Sequence, residues 1–206
     1  MSSKIKRVVL WNVCLFNFVF HLIILFLVHL YSTGIINLQN FGITEYVFDY
    51  TPRIFFAVIL FLISLIIYIK GRYYKDLNKV LILFLLTISL LLDTVGNFWG
   101  LYDVEGILGV FWYDDVLHFI IPILIAISVL RYLYNIKGYS KRGSLILSST
   151  ISLSLSMLWE IYEYWCDELF GTEMVRGLAD TMSDLTFAFL GVCLFYILFS
   201  IVLKEE

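Results

Sequence analysis

An imidazole beside carboxylates at helical spacing can hold a metal ion or relay a proton, and the stretch WYDDVLHFIIP, Trp112 to Pro122, offers that set. Asp114 lies four residues and Asp115 three residues before His118, so at least one carboxylate shares a helical face with the ring. Other segments repeat the pattern. LLDTVGNFWG carries Asp93 and Asn97 four apart, WEIYEYW carries Glu160 and Glu163 three apart, and ADTMSDLTF carries Asp180 and Asp184 four apart. All of them sit at the ends of long apolar runs. A charged side chain at the centre of a bilayer costs about 2.5 to 3.5 kcal/mol on insertion scales, so such groups are functional by default.

Gathered at one depth, these groups form a ligand set of oxygens with one imidazole. The expected metal ligands are Asp93, Asp115, His118, Glu160, Asp180 and Asp184. Oxygen-rich surroundings suit Mg²⁺, Ca²⁺ or Mn²⁺, and His118 with two or three carboxylates also suits Zn²⁺ or Fe²⁺, so the identity of a divalent ion stays open. Such an ion can polarise a phosphoryl or carbonyl oxygen or activate water. Asp115, His118, Glu160 and Glu163 are then the candidate catalytic groups, and Asn97 and Arg176 the candidates for holding a substrate. The bland reading is a structural polar network with Arg176 as counter-ion. Against it, the acids outnumber the positive charges within reach, so protons or a cation must neutralise them.

Weaker signals surround this set. Asp103, Glu105, Asp114, Asp167, Glu168 and Glu173 lie at or beyond the expected interface and read as solvated charges. His21 follows Asn17 by one helical turn inside an apolar run and reads as polar glue between helices, while His29 sits nearer the outer end of that run, within reach of the acids. The serines of SSTISLSLS allow close helix approach and are not read as nucleophiles. Cys14, Cys166 and Cys193 have no metal or disulfide spacing, and Trp99, Trp112, Tyr113, Trp159 and Trp165 read as interfacial anchors.

The elements that must position these groups follow from composition. The 206 residues are 61% hydrophobic and 15% charged, which takes the chain out of the ordinary soluble range. With two prolines, twelve glycines, no repeat and no low-complexity tract, it reads as a single integral membrane domain over 1–206. Crossing a hydrocarbon core takes about 20 apolar residues, and runs of that kind lie at 8–31, 52–69, 80–102, 112–134, 144–165 and 180–203. The expected fold is all-α, a polytopic bundle of about six transmembrane helices. MSSKIKR has the basic start of a signal peptide, but the run behind it reaches Tyr31 without a small-residue cleavage site and reads as a retained helix.

Of the fourteen Lys and Arg, all but Arg53 and Arg176 fall on one side of such a bundle, together with both termini. Basic loops stay cytoplasmic, so both termini are expected inside a multi-pass cell-membrane protein. All acids except Asp76, Glu205 and Glu206 fall on the other side, giving an acidic outer cup that favours cations. The basic residues are scattered over inner loops, a pattern that topology explains without a nucleic acid partner.

Together, YDDVLHF, WEIYEYW and DTMSDLTFAFLG, with DTVGNFWGLYD upstream, resemble the YjdF-like inner-membrane proteins over Asp93 to Gly191. More loosely, an aspartate then a histidine on one helix, an acid closing the next and paired aspartates opening the last are similar to the VanZ-like family, associated with glycopeptide resistance at the cell envelope. Neither resemblance implies a reaction; both imply that Asp115, His118, Glu160, Glu163, Asp180 and Asp184 belong together. Three readings follow: a metal-assisted enzyme or binder acting on a lipid or envelope precursor, a cation- or proton-coupled transporter, and a non-enzymatic scaffold. The transporter reading is weakened by the lack of ionisable residues in the inner helix halves and of symmetric Gly or Pro breaks.

Overall fold

The structure, a computed structural model, describes residues 3–35, 77–99, 101–103, 113–171 and 174–202, with five positions between 58 and 66. The described residues are helical or form short connections, with no strand among them. The chain divides into two compact units, Met1–Val104 and Glu105–Glu206.

The first unit holds α1 (Ser3–Ser32) and α2 (Leu77–Phe98), followed by a 3₁₀ turn at Leu101–Asp103. His21 ties the two helices: Nδ1 donates to the Asn17 carbonyl oxygen at 2.7 Å, and Nε2 lies 2.9 Å from Thr94 Oγ1 on α2. The ring thus meets the backbone of Asn17 one turn earlier, and the cross-helix bond goes to Thr94. All three residues are buried, the setting in which a polar side chain must find partners inside the protein. Of the second apolar run, Val58, Ile59, Leu62, Ile63 and Ile66 are described and helical; the rest lies outside the described residues.

The second unit is built on α3 (Tyr113–Leu130), which continues as a π-helical turn over Arg131–Ile136, α4 (Lys141–Phe170) and α5 (Leu178–Val202). Asp114 and Asp115 occupy the first turn of α3, where the helix dipole favours negative charge. Pro122 stands inside this helix and has no N–H to give the His118 carbonyl one turn back. Ser152 on α4 supports the same region by donating to the Pro122 carbonyl at 2.6 Å. Ser140 starts α4 by accepting from the Gly143 N–H at 3.1 Å, and Gly171, at φ +65°, ends it in the left-handed conformation that glycine adopts without strain.

Helices α3 and α5 come close together at Gly191, where any Cβ would run into the Phe119 carbonyl oxygen. Small residues at such crossings let two backbones approach, the usual basis of helix packing in lipid. Ala126, Leu130, Leu145 and Phe195 form the apolar core one or two turns further along. Outward, Leu158, Trp165, Met182 and Ile197 are more than half exposed, and lipid rather than water accounts for that surface.

Three stretches are long and apolar enough to cross a membrane: Tyr113–Ile136, Lys141–Leu169 and Leu178–Val202. Shorter apolar helical segments run over Leu15–Ile24 and Leu81–Gly96. The expected six spans thus reduce to an all-helical membrane protein with three candidate spans among the described residues.

Candidate functional site

The N-terminal end of α3, the C-terminal end of α4 and the N-terminal end of α5 converge at one end of the second unit. On α3, His118 stands one turn below Asp114, with 3.4 Å between Nε2 and Asp114 Oδ1. The same nitrogen lies 3.9 Å from Asp184 Oδ1 on α5. The other ring nitrogen, Nδ1, faces Glu160 Oε1 on α4 at 3.5 Å. Carboxylates from all three helices therefore surround one imidazole. Asp115, Glu160 and Asp184 are buried, and Glu160 Oε1 makes no hydrogen bond.

Above this cluster the link between α4 and α5 is pinned twice. Asp167 accepts from the Met174 and Val175 N–H groups, each at 2.8 Å. Arg176 then reaches back to Asp114 Oδ2 at 2.6 Å and to Asp180 Oδ1 at 3.0 Å. Burial works against the Arg176 charge, but Asp180 and Asp114 outweigh it and hold the guanidinium above its ordinary pKa. Asp114 is thus shared, one oxygen toward Arg176 and one toward His118. A pocket of about 320 Å³ opens beside it, lined by Asp114, Asp115, Arg176, Ala179, Asp180 and Ser183.

Among the residues named from the sequence, His118, Glu160 and Asp184 meet directly, while Asp180 and Arg176 join through Asp114. Asp115 turns to α5, where its Oδ1 accepts from Ser183 Oγ at 2.6 Å, and it lines the pocket. Glu163 Oε1 accepts from Trp159 Nε1 at 2.7 Å, one turn apart on α4. Asp93, in the first unit, accepts from the Tyr102 hydroxyl at 2.8 Å. The side chains of Asn97 and His29 lie outside the described residues, as do Glu105 and Glu173.

Three residues depart from the sequence reading. Asp114, read there as a solvated charge, is the carboxylate that faces His118, because its four-residue spacing places it almost directly over the ring. Ser183 carried no signal of its own. Asp167, also read as solvated, instead holds the α4–α5 link through two backbone N–H groups.

One ligand atom from each of Asp114, His118 and Asp184 lies within 4.8 Å of the other two. Fold and site together define an all-helical membrane protein with a buried Asp/His/Asp cluster at one end of its spans. The chain belongs to the family described as "Predicted membrane protein (DUF2238)", whose profile matches residues 18–205. This is the YjdF-like family recognised from the motifs, and the match extends well beyond the half of the chain that carried them. The VanZ-like similarity finds no support. No curated protein and no solved structure matches the chain.

Proposed function

We propose that Asp114, His118 and Asp184 bind a divalent cation, and that the protein uses it to bind or transform the polar head of a lipid or envelope precursor in the adjoining pocket. The mutual approach of the three ligand atoms carries this reading. Atoms about 2.1 Å from an ion stand about 3 Å apart when cis and 4.2 Å apart when trans, so modest rotamer changes bring all three onto one ion.

The arrangement around His118 supports the same assignment. A metal-binding imidazole usually gives its second N–H to a carboxylate, which fixes tautomer and ring orientation. Nε2 faces the two aspartates, and Nδ1 faces Glu160, whose buried oxygen lacks any other donor. Glu160 is then a positioning residue behind the ligand set. A bound ion would supply Lewis acidity toward a phosphoryl or carbonyl oxygen. Asp115 and Asp180 line the pocket with acceptors for hydroxyl or ammonium groups, and a volume of about 320 Å³ suits a headgroup better than an acyl chain.

One observation favours transport as a second reading. Ser144, Ser148 and Ser152 form a fully buried line along α4, continuing through Ser156 toward Glu160. Yet Ser148, Ser152 and Ser156 donate to backbone carbonyls, as helix-stabilising hydroxyls do. Metal analysis of the purified protein tests the first reading, with His118→Gln and Asp184→Asn alongside. The expected result is near-stoichiometric divalent metal in the wild type, lost from both folded variants. Absence of metal from every sample after incubation with Mg²⁺, Mn²⁺ and Zn²⁺ would overturn it and move attention to cation flux in vesicles.

A further inference from the structure

Hydroxyls on the helices of the second unit mostly serve their own backbone. On α5, Thr186 donates to the Met182 carbonyl and Ser200 to that of Ile197; on α3, Ser128 donates to that of Leu124. Such bonds satisfy a hydroxyl in an apolar setting and need no other partner. Ser183 departs from this pattern. Its Oγ donates across the helices to Asp115 Oδ1 at 2.6 Å, a length typical of a hydroxyl held by a carboxylate.

A tie between helices needs no charge: Ser152 joins α4 to α3 through the neutral Pro122 carbonyl. Asp115 is 6% exposed, and burying a carboxylate is far costlier than burying a carbonyl. A purely structural tie would not call for that cost. The pair also faces a space large enough for a ligand, since Ser183 and Asp115 both line the pocket of about 320 Å³. They are the chain neighbours of Asp184 and Asp114, which face His118. Successive helical residues point about 100° apart, so on α3 and on α5 one residue serves the imidazole and the next serves the pocket.

We infer that Ser183 is a nucleophile and Asp115 its general base, acting on the phosphodiester of a lipid headgroup. This rests on the reading of the pocket as a headgroup site. A base within hydrogen-bond reach is what activates a hydroxyl for attack. The phosphodiester follows from the surroundings. Arg176 brings a guanidinium to the same pocket, and with the proposed cation it offsets the aspartates that would otherwise repel a phosphate. The pocket lies where candidate membrane spans end, at the depth of lipid phosphates. Ser183 Oγ attacks phosphorus while Asp115 takes its proton; the Oγ–P bond forms, the P–O bond to the leaving alcohol breaks, and that oxygen receives the proton. Water or a second alcohol then attacks the phosphoseryl ester, its proton passing through Asp115 to the departing Ser183 Oγ.

The test treats the full chain in neutral detergent with alkyl fluorophosphonates, which carry an electrophilic phosphorus and lose fluoride, and reads adducts by intact mass and peptide mapping. Wild type should gain one adduct, on Ser183, with a hexadecyl probe labelling about tenfold faster than an ethyl one. Asp115→Asn should slow labelling about a hundredfold, and Ser200→Ala should leave it unchanged. Folding of each variant is confirmed by size-exclusion and thermal melting. No adduct on the wild type, an adduct elsewhere, or equal labelling of folded Asp115→Asn would overturn the inference, and equal rates with both probes would overturn the lipid as its substrate. Metal analysis of the same samples separates this from the cation assignment: metal without an adduct overturns Ser183 alone, and an adduct without metal overturns the cation alone.

Discussion

On a helix that turns about 100° per residue, Asp114 stands about 40° to one side of His118 and Asp115 about 60° to the other. Spacing alone leaves the choice between them open; the packing of α5 decides it, because Ser183 takes Asp115. This is why the histidine and its acidic surroundings were legible in the sequence while the particular aspartate was not. If the proposed ion is held as described, Asp114→Asn removes it, and Asp115→Asn leaves metal content within about twofold while weakening ligands of the pocket. Metal analysis of the two variants side by side checks this, and equal losses would sink the assignment. Arg176 competes for the same carboxylate from outside. Because its pKa is raised, it keeps its charge until strong alkali, and what its charge contributes through the pairs with Asp114 and Asp180 is lost only there. Arg176→Gln should therefore loosen residues 174–177 in hydrogen exchange and raise divalent-ion affinity several-fold. A fall in affinity would show that Arg176 orients Asp114 instead of competing for it.

Among the elements, α3 and α5 depend most on a single position. Gly191 leaves no room for a methyl group against the Phe119 carbonyl, so Gly191→Ala must push the two helices apart. Such overpacking costs about 1 to 3 kcal/mol, read as a lower unfolding midpoint in detergent. An unchanged midpoint would mean that the helices part there without penalty. Helical character and apolar runs were legible in the sequence because each depends on local composition. The ends were less so: α4 starts at Lys141 because Ser140 caps it, and α3 runs on because the π-helical turn absorbs Arg131–Ile136. Neither event alters the apolar pattern from which the run was drawn.

Across the chain, the described contacts of the His118 cluster all come from residues of the second unit, while α1 and α2 of the first are tied by His21 and Thr94. The charge asymmetry predicts which side each end of the second unit faces. In a cysteine-free background, Glu168→Cys should react with an impermeant thiol reagent on intact cells, whereas Tyr139→Cys should react only after permeabilisation. The reverse result would invert the topology and place the cluster on the cytoplasmic face. Membrane residence was legible from composition, and the grouping of acids from their positions at span ends. The first unit's polar contacts were not, because Thr94 carries no charge and gives no signal until two helices are side by side.

The close approach at Gly191 has a consequence for how the protein meets membranes of different thickness. With its backbone against Phe119, α5 cannot slide along α3 without first separating from it. A bilayer that is too thin or too thick must then be accommodated by tilting the pair as one body. Asp184, two turns along α5 from that contact, keeps its height relative to His118 while the hydrocarbon around it changes. Acyl-chain length would thus set the inclination of the cluster and leave its internal distances alone.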